Sequence, residues 1–111
     1  MLVFKNVIKI YNGAGKEPFT HWLNSFKDKT LVTRILRRID RVAFNNYGDH
    51  RYLTGGMFEL KVDFGPGYRI YCGEDGGSVV ILLCAGDKKS QTKDIILAKQ
   101  YWQDYLQKRK V

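Results

Sequence analysis

A chain of 111 residues with 44% hydrophobic content can fill one core but not two, and carries too much apolar mass for a disordered tail. Nineteen Lys and Arg against eleven Asp and Glu leave a net charge of +8, which favours a polyanionic partner over a neutral or cationic one. No apolar run approaches the roughly 20 residues that span a bilayer, and the charged start MLVFKNVIKIYNG lacks a signal-peptide cleavage pattern, so a cytoplasmic protein with no membrane partner is expected.

Val3 to Tyr11 reads as a first strand, closed by Asn12-Gly13-Ala14-Gly15. Pro18 suits the first turn of a helix, and Phe19, Trp22, Leu23 and Phe26 follow at helical spacing, which predicts a short amphipathic helix over 17–27. Asp28 can cap a second helix running to about Asn46. Its core stripe would be Val32, Ile35, Leu36, Ile39, Val42 and Ala43, and Arg34, Arg37, Arg38 and Arg41 would share another face. From Tyr47 the period changes to two. Strands are predicted near 51–54, 58–64, 68–73 and 78–85, separated by Gly55-Gly56, Gly65-Pro66-Gly67 and Asp75-Gly76-Gly77. SVVILLCA is apolar at every step, as an interior strand covered on both faces would be. A last helix from about Ser90, with Ser90 as its cap, would bury Ile95, Ala98, Trp102 and Tyr105. The expected architecture is α+β: one domain over 1–111, order βααββββα, helices on a largely antiparallel twisted sheet.

The stretch FELKVDFGPGYRIY carries the chemistry. With a three-residue loop at 65–67, Phe64 pairs with Tyr68, Val62 with Ile70 and Leu60 with Cys72, forming one apolar face. The other face then holds Asp63 opposite Arg69, Lys61 opposite Tyr71, and Glu59. Cross-strand charges on a solvated sheet face are the default explanation of this arrangement. The neighbouring apolar strand, however, implies that part of the face is covered, setting the charges at the rim of a cleft. The loop Gly86-Asp87-Lys88-Lys89 leads into a helix N-terminus, a favourable place for phosphate, and Tyr71 among cations could stack on a base of single-stranded RNA. The stripe of Arg34, Arg37, Arg38 and Arg41 is a solvated helix face or a grip on RNA phosphates; Asp40 is the only acid within 29–46. Cys72 and Cys84 read as buried thiols, and His21 and His50 match no ligand spacing, so no metal or cofactor is expected.

Four segments together, FTHWLNSFKD, RILRRIDRVAFNNYGD, FELKVDFGPGYRIYCGEDG and VVILLCAGDKKSQTKDIILAKQYW, resemble the addiction-module killer proteins, the HigB-type branch of the RelE/ParE toxin superfamily. The resemblance implies a RelE-like domain, a small basic toxin held by a cognate antitoxin in a hetero-oligomer. It also implies an activity: metal-independent cleavage of messenger RNA, commonly on the ribosome, or inhibition of DNA gyrase in ParE-like members. By position, Arg69 matches the arginine of the family's Gly-Tyr-Arg strand, Lys61 a basic strand position and Lys88 a basic residue of the following loop. In a nuclease, Arg69 with Lys88 is expected at the scissile phosphate, and Lys61 as a second phosphate contact or, if neighbouring cations lower its pKa, a base. Glu59 is the alternative base. Lys89, Tyr71 and the four arginines of the second helix would hold RNA. The tyrosine that RelE carries near its C-terminus has no counterpart in SQTKDII. A non-catalytic RNA-binding module would share the charge and lack turnover.

Overall fold

The structure, a computed structural model, describes residues 6–109. Its elements are β1 (Val7–Ile10), α1 (Pro18–Asn24), α2 (Lys29–Ala43), β2 (His50–Tyr52), β3 (Met57–Val62), β4 (Tyr68–Asp75), β5 (Val79–Asp87) and α3 (Gln91–Lys108). The part of the first strand predicted at residues 3–5 lies outside the described residues. The strands form one mixed sheet in the spatial order β1-β5-β4-β3-β2. Three pairings are antiparallel, and β1 runs parallel to β5. Alternation of apolar residues cannot distinguish these two modes, because both place every second side chain on one face.

Local chemistry sets the helix ends. The Asp28 carboxylate accepts the N–H groups of Thr30 at 2.9 Å and Leu31 at 3.3 Å, so α2 starts where its cap predicts. It stops at Ala43 rather than near Asn46 because Asn45 takes a left-handed φ of 65°. Ser90 stands at the start of α3, but its hydroxyl accepts no helix N–H. It donates instead to the carboxylate of Asp94 at 2.5 Å, correcting its expected role as a side-chain cap.

Helices cover both faces of the sheet. On one face Phe19 of α1 and Ile35, Ile39 and Val42 of α2 pack on Phe58, Leu60, Ile70, Val80 and Leu82. On the other, Ala98 and Trp102 of α3 pack on Met57, Tyr71, Ile81, Leu83 and Cys84. Leu36, expected in the α2 core stripe, is 44% exposed. β5 lies between β1 and β4 and is buried on both faces, as its unbroken apolar run requires.

Two irregularities shape the end of the sheet near the charged residues. The β3–β4 loop takes in residues 63–67, not three residues, because Phe64 leaves the sheet and lies under the Arg34 guanidinium, 4.4 Å from its ring centroid. Gly65 and Gly67 supply the positive φ angles, 60° and 80°, that close this turn. The pairing is therefore Val62 with Tyr68, Lys61 with Arg69, Leu60 with Ile70 and Glu59 with Tyr71, two residues from the expected register. A shift of two preserves the faces, and the charges still share one side. The second irregularity is a bulge in β5. Tyr71 faces Cys84 while Cys72 faces Leu82, so Leu83 and Cys84 both join the α3 side, and Gly86 comes to lie beside Arg69 on that side.

Candidate nucleic-acid interface

On the α3 side, charged residues form two adjacent rows across the strands. One row runs Arg51, Glu59, Tyr71, and the next places Lys61 opposite Arg69 with Gly86 beyond it. The start of α3 seats directly over Gly86. A side chain at Gly86 would collide with the Asp94 carboxylate and the Ser90 hydroxyl, so glycine lets the helix reach the sheet here.

Glu59 lies at the centre. Its side chain has no exposure, yet three partners reach it: Arg51 Nε at 3.3 Å, Arg69 Nε at 3.4 Å and Gln91 Nε2, which donates at 2.9 Å. A buried carboxylate survives only with such compensation. Glu59 is thus enclosed and ion-paired, which corrects its expected role as an accessible base. Arg69, expected opposite Asp63 and open to solvent, instead leans on Glu59 with only 15% of its side chain exposed. Tyr71 is fully buried, so it offers no face to a base, and its expected stacking role is overturned. Burial, with Glu59 and Asp94 nearby, pushes its hydroxyl well above the ordinary tyrosine range. Lys61 is half-buried, while Lys88 and Lys89 are exposed on the loop between β5 and α3.

A second cationic region lies on the α2 side. Arg34, Arg37, Arg38, Arg41 and Lys61 line a groove of about 460 Å³ together with Asp49, Asp63, Val62 and Phe64. Arg38 is not part of an exposed stripe. It is 7% exposed and donates to the carbonyls of Lys61 at 3.1 Å, Tyr47 at 2.5 Å and Asp49 at 3.0 Å, forming the floor of the groove. Burial first, and then Arg41, lower its pKa. Arg34, Arg37 and Arg41 remain exposed. The two regions meet at Lys61, whose carbonyl receives Arg38 and whose strand partner is Arg69. Sequence reading kept these regions apart because nothing in the α2 pattern indicates which strand it crosses.

Sequence reading also passed over Arg51 and Gln91. Arg51 was legible in principle: continuing the strand pairing through a turn centred on Gly55 sets Arg51 opposite Glu59. Gln91 carried no signal, since its reach to Glu59 depends on where α3 docks. Among the described residues, no three His, Cys, Asp or Glu converge to hold a metal ion, and no helix is long and apolar enough to cross a membrane. Cys72 and Cys84 are free, buried thiols.

The fold and charge define a compact α+β protein with three helices, a five-stranded mixed sheet and cationic surface at one end of it. No family model matches the chain. An uncharacterized protein of Haemophilus influenzae (strain KW20 / Rd) is 46% identical over 81 residues, which make up 73% of this chain and 82% of that protein. The chain belongs to the same family as that protein.

Proposed function

We propose that the chain is the toxin of a toxin–antitoxin pair, a RelE-like domain of the HigB-type branch of the RelE/ParE superfamily, and that it cleaves messenger RNA in association with the ribosome in the cytoplasm. The observation that carries this reading is the Lys61–Arg69 cross-strand pair, set beside the start of α3 at the end of the sheet from which the Lys88–Lys89 loop emerges. An RNA 2′-hydroxyl attacks the adjacent phosphorus, the 5′-oxygen leaves with a proton, and a 2′,3′-cyclic phosphate remains. Negative charge builds on the non-bridging oxygens, and each cation held there beforehand lowers the barrier by about 3 kcal/mol. Arg69 is already fixed by Glu59 and fits this task, with the exposed Lys88 as its companion. Lys61 is the remaining base or a second phosphate contact, because Glu59 is enclosed.

The burial of both Glu59 and Tyr71 favours a second reading, in which the same cations bind RNA or a protein target such as gyrase without turnover. Expression in bacterial cells with mapping of new transcript 5′ ends separates the readings. Internal cuts in phase with codons support the nuclease. Supercoiling defects without cuts, or growth inhibition with neither, overturn it.

A further inference from the structure

Arg51 enters no role derived so far, yet it shares a buried anchor with Arg69. We propose that Arg51 and Arg69 form a paired-guanidinium cradle for a phosphodiester of single-stranded RNA, with Glu59 as the positioning residue that holds both. The choice of RNA rests on the nuclease reading; the cradle rests on geometry.

Both arginines meet the Glu59 carboxylate through Nε, one at each oxygen, at 3.3 and 3.4 Å. Gln91 donates to the oxygen that Arg69 approaches, and so fixes the carboxylate from the α3 side. Neither Arg69 Nε nor Glu59 Oε2 makes a hydrogen bond among the described residues, so the attraction is ionic. Held by Nε, a guanidinium keeps its two terminal nitrogens for a ligand, the edge that grips two phosphate oxygens at once. The charge count agrees. Arg51, Arg69 and Lys61 supply three positive charges against Glu59 and the Asp94 carboxylate seated over Gly86, leaving one unmatched beside a carboxylate that solvent cannot reach. Arg51 comes from β2 and is 51% exposed, so the cradle opens toward that edge of the sheet. An RNA strand bound there would run from the Lys61–Arg69 pair across β3 toward β2.

The test uses the purified full chain and a 2′-O-methyl RNA of about 12 nucleotides, which binds but cannot undergo 2′-attack. Fluorescence anisotropy across a salt series should show Arg51→Ala weakening binding about tenfold and lowering the salt slope by about 0.7, the loss of one phosphate contact on a single strand. Arg51→Lys should recover charge but not the fork, leaving a loss of about threefold. In a Glu59→Gln background, Arg51→Ala should cost less than about threefold, because the anchor is already gone. Arg69 and Gln91 still compensate Glu59 in Arg51→Ala, so its melting should fall less than that of Arg69→Ala, and binding measured well below both midpoints separates affinity from folding. If Arg69→Lys weakens RNA binding while Arg51→Ala leaves affinity and slope unchanged, the cradle is overturned and the nuclease reading stands. If Arg51→Ala weakens capture of a polyglutamate peptide but not of RNA, the surface is a protein-docking site and the proposal fails. Intact binding and cradle behaviour without transcript cleavage in cells would overturn the nuclease alone.

Discussion

The Nε atom of Arg69 stands 3.4 Å from a carboxylate oxygen of Glu59, and that carboxylate has no exposure to solvent. The residue expected to act on phosphate is thus also a structural counter-ion. Removing one partner of a buried ion pair leaves the other charge desolvated, so Arg69→Ala should lower stability by about 3 kcal/mol. Arg69→Lys keeps the charge and should cost less. Urea unfolding of both variants checks this. Equal stability of Arg69→Ala and the parent would show that Arg51 and Gln91 satisfy Glu59 alone.

Arg38 invites a parallel experiment with the opposite functional meaning. Its guanidinium joins α2 to the carbonyls of Tyr47, Asp49 and Lys61, tying the helix to β3 and to the segment before β2. Charge-assisted bonds of this kind contribute about 1.5–3 kcal/mol each, so Arg38→Ala should destabilise by at least about 3 kcal/mol. Lysine cannot reproduce a planar fork across three acceptors, and Arg38→Lys should rescue little. Arg37→Ala, on an exposed position one residue away, should leave the unfolding midpoint within error. A neutral Arg38→Ala would return Arg38 to the surface stripe.

These two arginines show what the sequence could and could not disclose. Period-two alternation placed Glu59, Lys61, Arg69 and Tyr71 on one face, because side chains in a strand must alternate. It could not fix the register, since a slip of two residues leaves every face unchanged. The slip was decided by Phe64, whose stacking under Arg34 draws it out of the strand. Helical spacing grouped four arginines, but their stripe is wide enough for Arg38 to turn inward where backbone carbonyls await it. Tyr71 looked available because the residue pattern does not say that α3 covers β4. The helices, the Asp28 cap and the doubly covered β5 depended on local chemistry and were legible. The burial of the site depended on docking and was not.

Alkaline pH should unfold the protein in a defined window. Burial, reinforced by Asp94, pushes the Cys84 thiol from 9.0 up to about 12. Burial and the hydrogen bond to Asp104 push Tyr11 from 10.0 to about 12, and burial with the bond to Asp75 does the same for Tyr105. Each folded-state value is raised, so the unfolded chain loses these protons first. Their contribution is complete below pH 9 and is lost as pH rises from 9 to 12. Urea midpoints measured across that window should fall, less steeply in Tyr11→Phe. A flat profile would show that these groups ionise equally in both states.

The proposed chemistry predicts its own end groups. Attack by the 2′-hydroxyl leaves a 2′,3′-cyclic phosphate or its opened product, and cation-assisted cleavage should persist in EDTA on ribosomes kept intact by polyamines. Capture of cyclic-phosphate ends on transcripts from expressing cells provides the check. A 3′-hydroxyl paired with a 5′-phosphate would indicate attack by water and remove the mechanism.

If the chain is the toxin we propose, its charge must be masked to keep it off cellular RNA, and the α2 groove is the surface we propose for the antitoxin. Four arginines and two carboxylates line it, a surplus of two positive charges, so an acidic segment is its electrostatic complement. Phe64 in the groove supplies an apolar anchor. Long-range charge governs encounter, while desolvated apolar contacts govern residence. Charge reversal should therefore target Arg37 and Arg41, which are exposed, and spare Arg38, which holds the fold. Arg37→Glu with Arg41→Glu should slow association with the cognate antitoxin about tenfold at low salt and flatten its salt dependence, leaving dissociation nearly unchanged. Phe64→Ala should do the reverse, speeding dissociation at a constant association rate. Surface plasmon resonance across a salt series reads both rates. If the double reversal associates as fast as the parent at low salt, the antitoxin does not approach through this groove.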